Sequence, residues 1–403
     1  LPGTARPGRH PNPAQALTRP IDKDRRRLHS PGRCLVDASL LGIVLSAVWH
    51  ATMLEPPVRG ACNGCGTPGI LAVMSFTRDL PSVSVVIPAW DVAAYLPRCL
   101  DALLNQDHSP IEIIVIDDGS SDATPAILAD YAARHPEIVA RRQENAGPGP
   151  ARNAGAALAT GDYLIFVDAD DYVEPDYLAR LVTAAAASGA EVTVCGFSFD
   201  LGRVRLPYPM LGLPRTLPGP RASRLTVETL PLPPFAWTKL YRREWFISQG
   251  FAFPPIFYED IGSTASILYR AETVAIVRRS LYHYCLRDSG ITGDFGVRNV
   301  QDYVAAAARQ RDFLVGESLW PAWRGAFRWF TLVARVQVGF QILFLDTHIR
   351  RRDRLRLFGL FSRELVALGG VRPEAPSNPG ALVQVENFPF RERRKDLRAA
   401  RTR

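Results

Sequence analysis

With 403 residues, 47% of them hydrophobic and 22% charged, the chain can bury about two domains' worth of core and is too apolar to be mainly disordered. Six cysteines over this length exclude a disulfide scaffold, and 33 prolines and 30 glycines without a triplet period exclude a collagen-like chain. The formal charge of +8 is uneven: 9 basic against 4 acidic residues over 1–73, 25 against 30 over 74–349, and 14 against 6 over 350–403. The mildly acidic body speaks against nucleic acid as a partner.

Residues 1–33 are rich in Pro, Arg and His and read as coil. An apolar run at 38–54 follows Arg25, Arg26 and Arg27. It has the look of a signal peptide or a short membrane anchor, about one turn short of a comfortable span. A third reading places the gene start downstream, at Met74, and leaves 1–73 disordered or untranslated. Cys62 and Cys65 form a C-x-x-C without the second ligand pair that a zinc site needs.

From residue 82 strand and helix patterns alternate. SVSVVIP (82–88) is a β-branched run, and Leu96, Leu100, Leu103 and Leu104 then recur at helical spacing. IEIIVID (111–117) is a second strand, 122–135 a helix with Asp122 as its N-cap, and 137–143 a third strand. Residues 149–160 read as a short helix, DYLIFVD (162–168) as a strand, 175–188 as a helix ended by Gly189, and 190–199 as a fifth strand. Near-continuous apolar strands separated by helices predict an α/β fold: a mostly parallel sheet with helices on both faces. Ligands of such sheets sit beyond the carboxyl ends of the strands.

Those ends carry Pro88-Ala89-Trp90-Asp91, Asp117-Asp118-Gly119-Ser120 and Asp168-Ala169-Asp170-Asp171. Three carboxylates in four positions repel one another unless a cation offsets them, and hard divalent ions such as Mg²⁺ or Mn²⁺ prefer oxygen ligands. An Asx-capped turn is the plainer reading of D-x-D by itself. No G-x-G-x-x-G follows the first strand and no G-x-x-x-x-G-K-[ST] occurs, so neither a dinucleotide fingerprint nor a P-loop is present.

SVSVVIPAWDVAAYLPRCLDALLNQ, IEIIVIDDGSSDAT, ENAGPGPARNAG and GDYLIFVDADD together resemble the successive blocks of the bacterial family 2 glycosyltransferases. The resemblance is strong over 82–200 and weaker over 236–292. It implies the GT-A fold, a Mg²⁺ or Mn²⁺ cofactor, and a nucleotide-diphosphate sugar donor, a UDP-sugar first. The implied acceptor is a hydroxyl of a glycan or lipid-linked molecule, in cell-envelope or extracellular polysaccharide synthesis. Pro88 and Ala89 would then line the base, and Asp118 would accept from its imide. Arg152 would lie near base and phosphates. Asp168 and Asp170 match the D-x-D pair, with Asp170 the more direct metal ligand. Asp91 stands where the family usually has Asn, which leaves its donor role open.

Residues 201–235, dense in Pro, Gly and Arg, read as a long loop, followed by FAWTKLYRREWF with Trp237 and the body's lone lysine, Lys239, as a possible phosphate contact. Glu259-Asp260 open a helical pattern. By themselves they are acids favoured at a helix N-terminus. By resemblance they are the E-D pair of inverting enzymes, with Asp260 the general base and Glu259 the runner-up. LYHYCLRDSGIT (281–292) resembles the segment that closes over the diphosphate, with His283 a candidate metal ligand and Arg287 a candidate diphosphate contact.

Residues 296–375 are helical in pattern, behind a catalytic domain at 74–295 and before a basic tail at 376–403. Arg328 and Arg335 argue against a spanning helix at 327–346. The mixed basic and apolar run at 348–361 suits an interfacial helix on the cytoplasmic membrane face, or else a bundle packed on the catalytic domain. A nucleotidyltransferase and a catalytically silent binding module are the competing readings. The first lacks its glycine- and lysine-rich loop, and the second would have no need of both acidic pairs.

Overall fold

The computed structural model describes residues 80–202, 204–208, 210, 212–229, 231–285, 295–344 and 349–370. The apolar run at 38–54, the Cys62/Cys65 pair, Arg287 and the basic tail at 376–403 lie outside the described residues.

Four parallel strands form the first half of the sheet: β1 (Val83–Ala89), β2 (Ile111–Asp117), β3 (Ile138–Arg142) and β4 (Tyr163–Phe166). The apolar runs predicted them because β1 and the central part of β2 are covered on both faces. Between them lie α1 (Leu96–Leu104), α2 (Thr124–Arg134) and α3 (Pro148–Leu158). Helix α3 lies so close on β1 that a Cβ at Gly155 would stand 2.3 Å from Val86 Cγ1, so only glycine fits there.

The second half is mixed. After β5 (Tyr172–Val173) and α4 (Tyr177–Ser188) come β6 (Val192–Asp200), β7 (Arg205–Pro207), β8 (Thr216–Pro218), α5 (Gly219–Val227), β9 (Lys239–Arg242), α6 (Arg243–Ser248), α7 (Glu259–Arg270) and β10 (Thr273–Cys285). The strand order is β3-β2-β1-β4-β9-β6-β10-β5, with β9 antiparallel between β4 and β6 and β6 parallel to β10. The stretch read as one loop, 201–235, therefore holds two short strands and α5. The 281–292 segment beyond LYHYC lies outside the described residues, and LYHYC is the end of a 13-residue strand. Register shifts between Val277 and Tyr282 break its period-2 pattern, which hid it in the sequence.

Three long helices follow: α8 (Val297–Gly316), α9 (Trp320–Phe344) and α10 (Arg351–Gly370). They form their own apolar cluster, which also takes Val227 of α5 and Ala265 of α7. Leu357, Phe361 and Leu365 of α10 are buried in that cluster. Part of the apolar face of 348–361 is thus covered by the bundle, with Leu355 left exposed. No described helix is long and apolar enough to cross a membrane.

Candidate active site

The loops after β1 and β2 are laced to each other. Asp118 N donates to Ala89 O at 2.8 Å, Val92 N to Thr124 Oγ1 at 3.0 Å, and Asp91 N to Ser120 Oγ at 3.0 Å. The Asp91 carboxylate in turn accepts from Ser121 N (2.6 Å) and Asp122 N (3.2 Å). It holds the second loop against the first and is not among the residues that line the cavity described below. Asp118 is 3% exposed and accepts from Gln143 Nε2, Ala146 N and Gly147 N at 2.7–2.9 Å. Gly147, at φ 94°, bends the chain so that its N–H faces this carboxylate just before α3 begins.

At the end of β4 the D-x-D turn is fixed from both sides. Asp171 N donates back to Asp168 O at 3.1 Å, and Arg98 of α1 donates to Asp170 O at 2.9 Å. Asp171 is fully buried and accepts from the Tyr282 hydroxyl (2.7 Å) and Cys285 N (2.8 Å) of β10. Burial, with Asp170 and Asp168 beside it, pushes its carboxyl well above the usual range. Asp171 therefore anchors the turn, while Asp168 and Asp170 line the cavity.

Helix α7 brings Glu259 and Asp260 to the same place. Tyr258, at φ 60°, turns the chain into its first residue. Arg152 of α3, 3% exposed, pairs with Asp168 at 2.6 Å and with Glu259, and its buried Nε has no hydrogen-bond partner. One guanidinium thus offsets two carboxylates from separate elements and keeps a donor in reserve. Asp260 accepts from Ile261 N at 2.8 Å. Burial raises its carboxyl above the ordinary value, opposed in part by Arg152.

These groups face one cavity of about 400 Å³. Pro88, Ala89, Asp118, Arg152, Asp168 and Asp170 line one side, and Glu259 and Asp260 stand beside them. Among the described residues no three His, Cys, Asp or Glu side chains converge as a closed metal cage. Two carboxylates with oxygen donors only fit a hard ion that draws its remaining ligands from a phosphate.

His283 is not part of this. Its Nδ1 lies 2.7 Å from Ser198 Oγ and its Nε2 2.7 Å from Glu174 Oε1, and its ring stacks on Tyr172. A carboxylate only accepts, so Nε2 carries the proton and Nδ1 takes the hydroxyl. Both nitrogens are spent, which corrects the metal-ligand expectation. Lys239 is corrected as well. Fully buried, its Nζ donates to Pro233 O (2.8 Å), Phe235 O (2.6 Å) and Thr238 Oγ1 (3.0 Å) rather than into the cavity. It ties down the segment that presents Phe235 and Trp237 to the cavity. Burial lowers its pKa to about 7.

This depression has a sign that can be tested. The unfolded chain binds the Lys239 proton up to its ordinary value of 10.5, whereas the folded chain releases it near 7. Stability linked to Lys239 is therefore present above about 10.5 and is lost as pH falls through about 7. Lys239→Met should flatten the pH dependence of thermal unfolding across that window. An unchanged profile would show that Lys239 titrates normally.

Sequence reasoning missed the far wall, where Phe257, Tyr303, Phe330 and Gln337 come from the approach to α7 and from α8 and α9. It also missed Tyr282, which bridges Asp168 N and the Asp171 carboxylate. An aromatic three residues before Cys285 in an apolar run gave no signal beyond core packing.

The sequence model of glycosyl transferase family 2 matches residues 84–248. The chain is 34% identical over 220 residues to the uncharacterized glycosyltransferase EpsJ of Bacillus subtilis, covering 53% of this chain and 63% of EpsJ. It is 38% identical over 115 residues to the succinoglycan biosynthesis protein ExoO of Rhizobium meliloti, 28% of this chain and 33% of ExoO. It thus spans slightly less than two thirds of the first of these relatives and a third of the second. In fold it is similar to S. aureus TarS 1–349, with a TM-score of 0.55 and 18% identity over 72% of this chain and 81% of that one, a likeness of the GT-A fold.

Proposed function

We propose that the chain, whose residues 84–248 match the model of glycosyl transferase family 2, moves a sugar, with inversion, from a nucleotide-diphosphate donor to an acceptor hydroxyl in polysaccharide synthesis. The catalytic part is the segment expected at 74–295 and the helical part the one at 296–375. One observation carries the reading: carboxylates from β2, β4 and α7 converge on a single cavity, with Asp260 on the same cavity as the D-x-D turn.

Pro88 and Ala89 offer backbone to the base, and Asp118 offers its carboxylate. Arg152, with its Nε unpartnered, offers a donor to phosphate or sugar. TarS is known in complex with UDP, which favours a UDP-sugar here. Asp170 and Asp168 would hold Mg²⁺ or Mn²⁺, which when bound supplies positive charge against the departing diphosphate. The acceptor oxygen attacks the anomeric carbon as its proton passes to Asp260, and the bond from that carbon to the diphosphate oxygen breaks. The raised pKa of Asp260 makes it a stronger base than an exposed aspartate. ExoO is a succinoglycan biosynthesis protein, which supports a glycan acceptor.

Turnover of labelled UDP-sugars with Mn²⁺ or Mg²⁺ tests this. Nucleoside diphosphate with an inverted product supports it. Pyrophosphate would identify a nucleotidyltransferase, and binding without turnover a silent module. Asp170→Ala should abolish the part of UDP binding that EDTA removes from the wild type, read by calorimetry. Equal EDTA sensitivity in both proteins would take Asp170 out of the metal role.

A further inference from the structure

Part of the cavity wall lies beyond the family match. Helix α9 contributes Val333, Gln337 and Gln341 to that wall. Four residues apart, they share one face of the helix. One position earlier on each turn stand Leu332, Val336 and Phe340, and Phe344 continues that row. This adjacent face turns outward: Leu332 is 45% exposed, Val336 38% and Phe344 71%, with the rings of Phe340 and Phe344 5.2 Å apart.

The surroundings of the row are cationic. Helix α9 carries Arg324, Arg328 and Arg335 and no acidic residue, and α10 carries five arginines against Asp353 and Glu364. Bare apolar side chains in a helical row, on a helix that carries three arginines and no carboxylate, match an anionic lipid surface: the apolar row enters the acyl boundary and the guanidinium groups meet phosphates. Helix α10 offers less of a surface: Leu355 and Val366 are exposed but well separated, while Leu357, Phe361 and Leu365 are inside the bundle.

We propose that α9 couples the membrane to the catalytic site: its outward row rests on anionic lipid, and its inward row receives the head sugar of an acceptor carried on a lipid anchor. The two glutamine amides suit sugar hydroxyls, and Tyr303 and Phe330 suit the apolar faces of a sugar ring. The anchor leaves along the row on the same helix. This rests on the transferase reading and deepens it by naming the acceptor class.

Flotation of the full-length protein with phosphatidylcholine vesicles, with and without phosphatidylglycerol, tests the proposal at low salt. Wild type should float only with the anionic vesicles. Leu332→Glu/Val336→Glu should not float with either, while Leu158→Glu, an acidic replacement of an exposed apolar residue on α3, should float as wild type does. Thermal melts of each variant confirm that it is folded. Dodecyl glycosides in anionic vesicles should be glycosylated by wild type with a lower KM than the same free sugars. The double variant should lose that difference. Undiminished flotation of the double variant, loss of flotation in Leu158→Glu as well, or a wild type that does not float would each overturn the proposal. If wild type releases no nucleoside diphosphate from any donor, the transferase reading fails instead. Release without flotation sinks only the role of α9.

Discussion

Asp260→Asn is expected to bind UDP as wild type does and to lose transfer by about 10²–10⁴-fold, the usual worth of a positioned general base. Asparagine keeps the shape and can still accept from Ile261 N, so the start of α7 survives while the proton acceptor is gone. The pH profile gives a second readout. The base works only when deprotonated, and burial raises its pKa. The acid limb of kcat/KM in wild type should therefore lie above the ordinary carboxylate range, with activity falling as pH drops through it. In Asp260→Asn the residual rate should show no such limb. Full activity in the variant would remove Asp260 from the chemistry.

The other large effect is expected at Arg152. Its guanidinium is buried between Asp168 and Glu259, and Glu259 is itself 4% exposed. Arg152→Met leaves those carboxylates without a partner, at a cost of about 3–5 kcal/mol at neutral pH. The sign with pH follows from the burial. Without the arginine, an ionised Glu259 is a buried charge with no partner, so the deficit grows as pH rises and that carboxylate ionises. Urea unfolding at acidic and mildly alkaline pH should show a larger deficit at the higher pH. Arg152→Met/Glu259→Gln should recover part of it. A loss below about 1 kcal/mol, as at an exposed ion pair, would mean that Arg152 is not the charge that holds the two elements together.

The two halves of the chain differ in how much they revealed. Strands β1 to β4 and their helices were legible because each is a continuous apolar run or a 3.6-residue pattern, bounded by local turn chemistry. The acidic clusters were legible as clusters. The strand β10 was not, because its register shifts interrupt the alternation that would mark it. The roles of single polar residues followed the same division. Asp91 and His283 carry side chains suited to a site, yet one is taken up by two backbone N–H groups and the other by Ser198 and Glu174.

Sequence by itself determined the α/β architecture, the order of the first blocks and the family match, since these depend on local periodicity and on motifs contiguous in the chain. Only the tertiary structure decided that Arg152 ties Asp168 to Glu259, that Lys239 faces a loop rather than the cavity, and that α9 closes the far wall. Those facts depend on which side chains meet across separations of a hundred residues or more, or on the direction a buried side chain takes. Neither leaves a period in the sequence, because a contact across the fold constrains a pair of positions rather than a pattern along the chain.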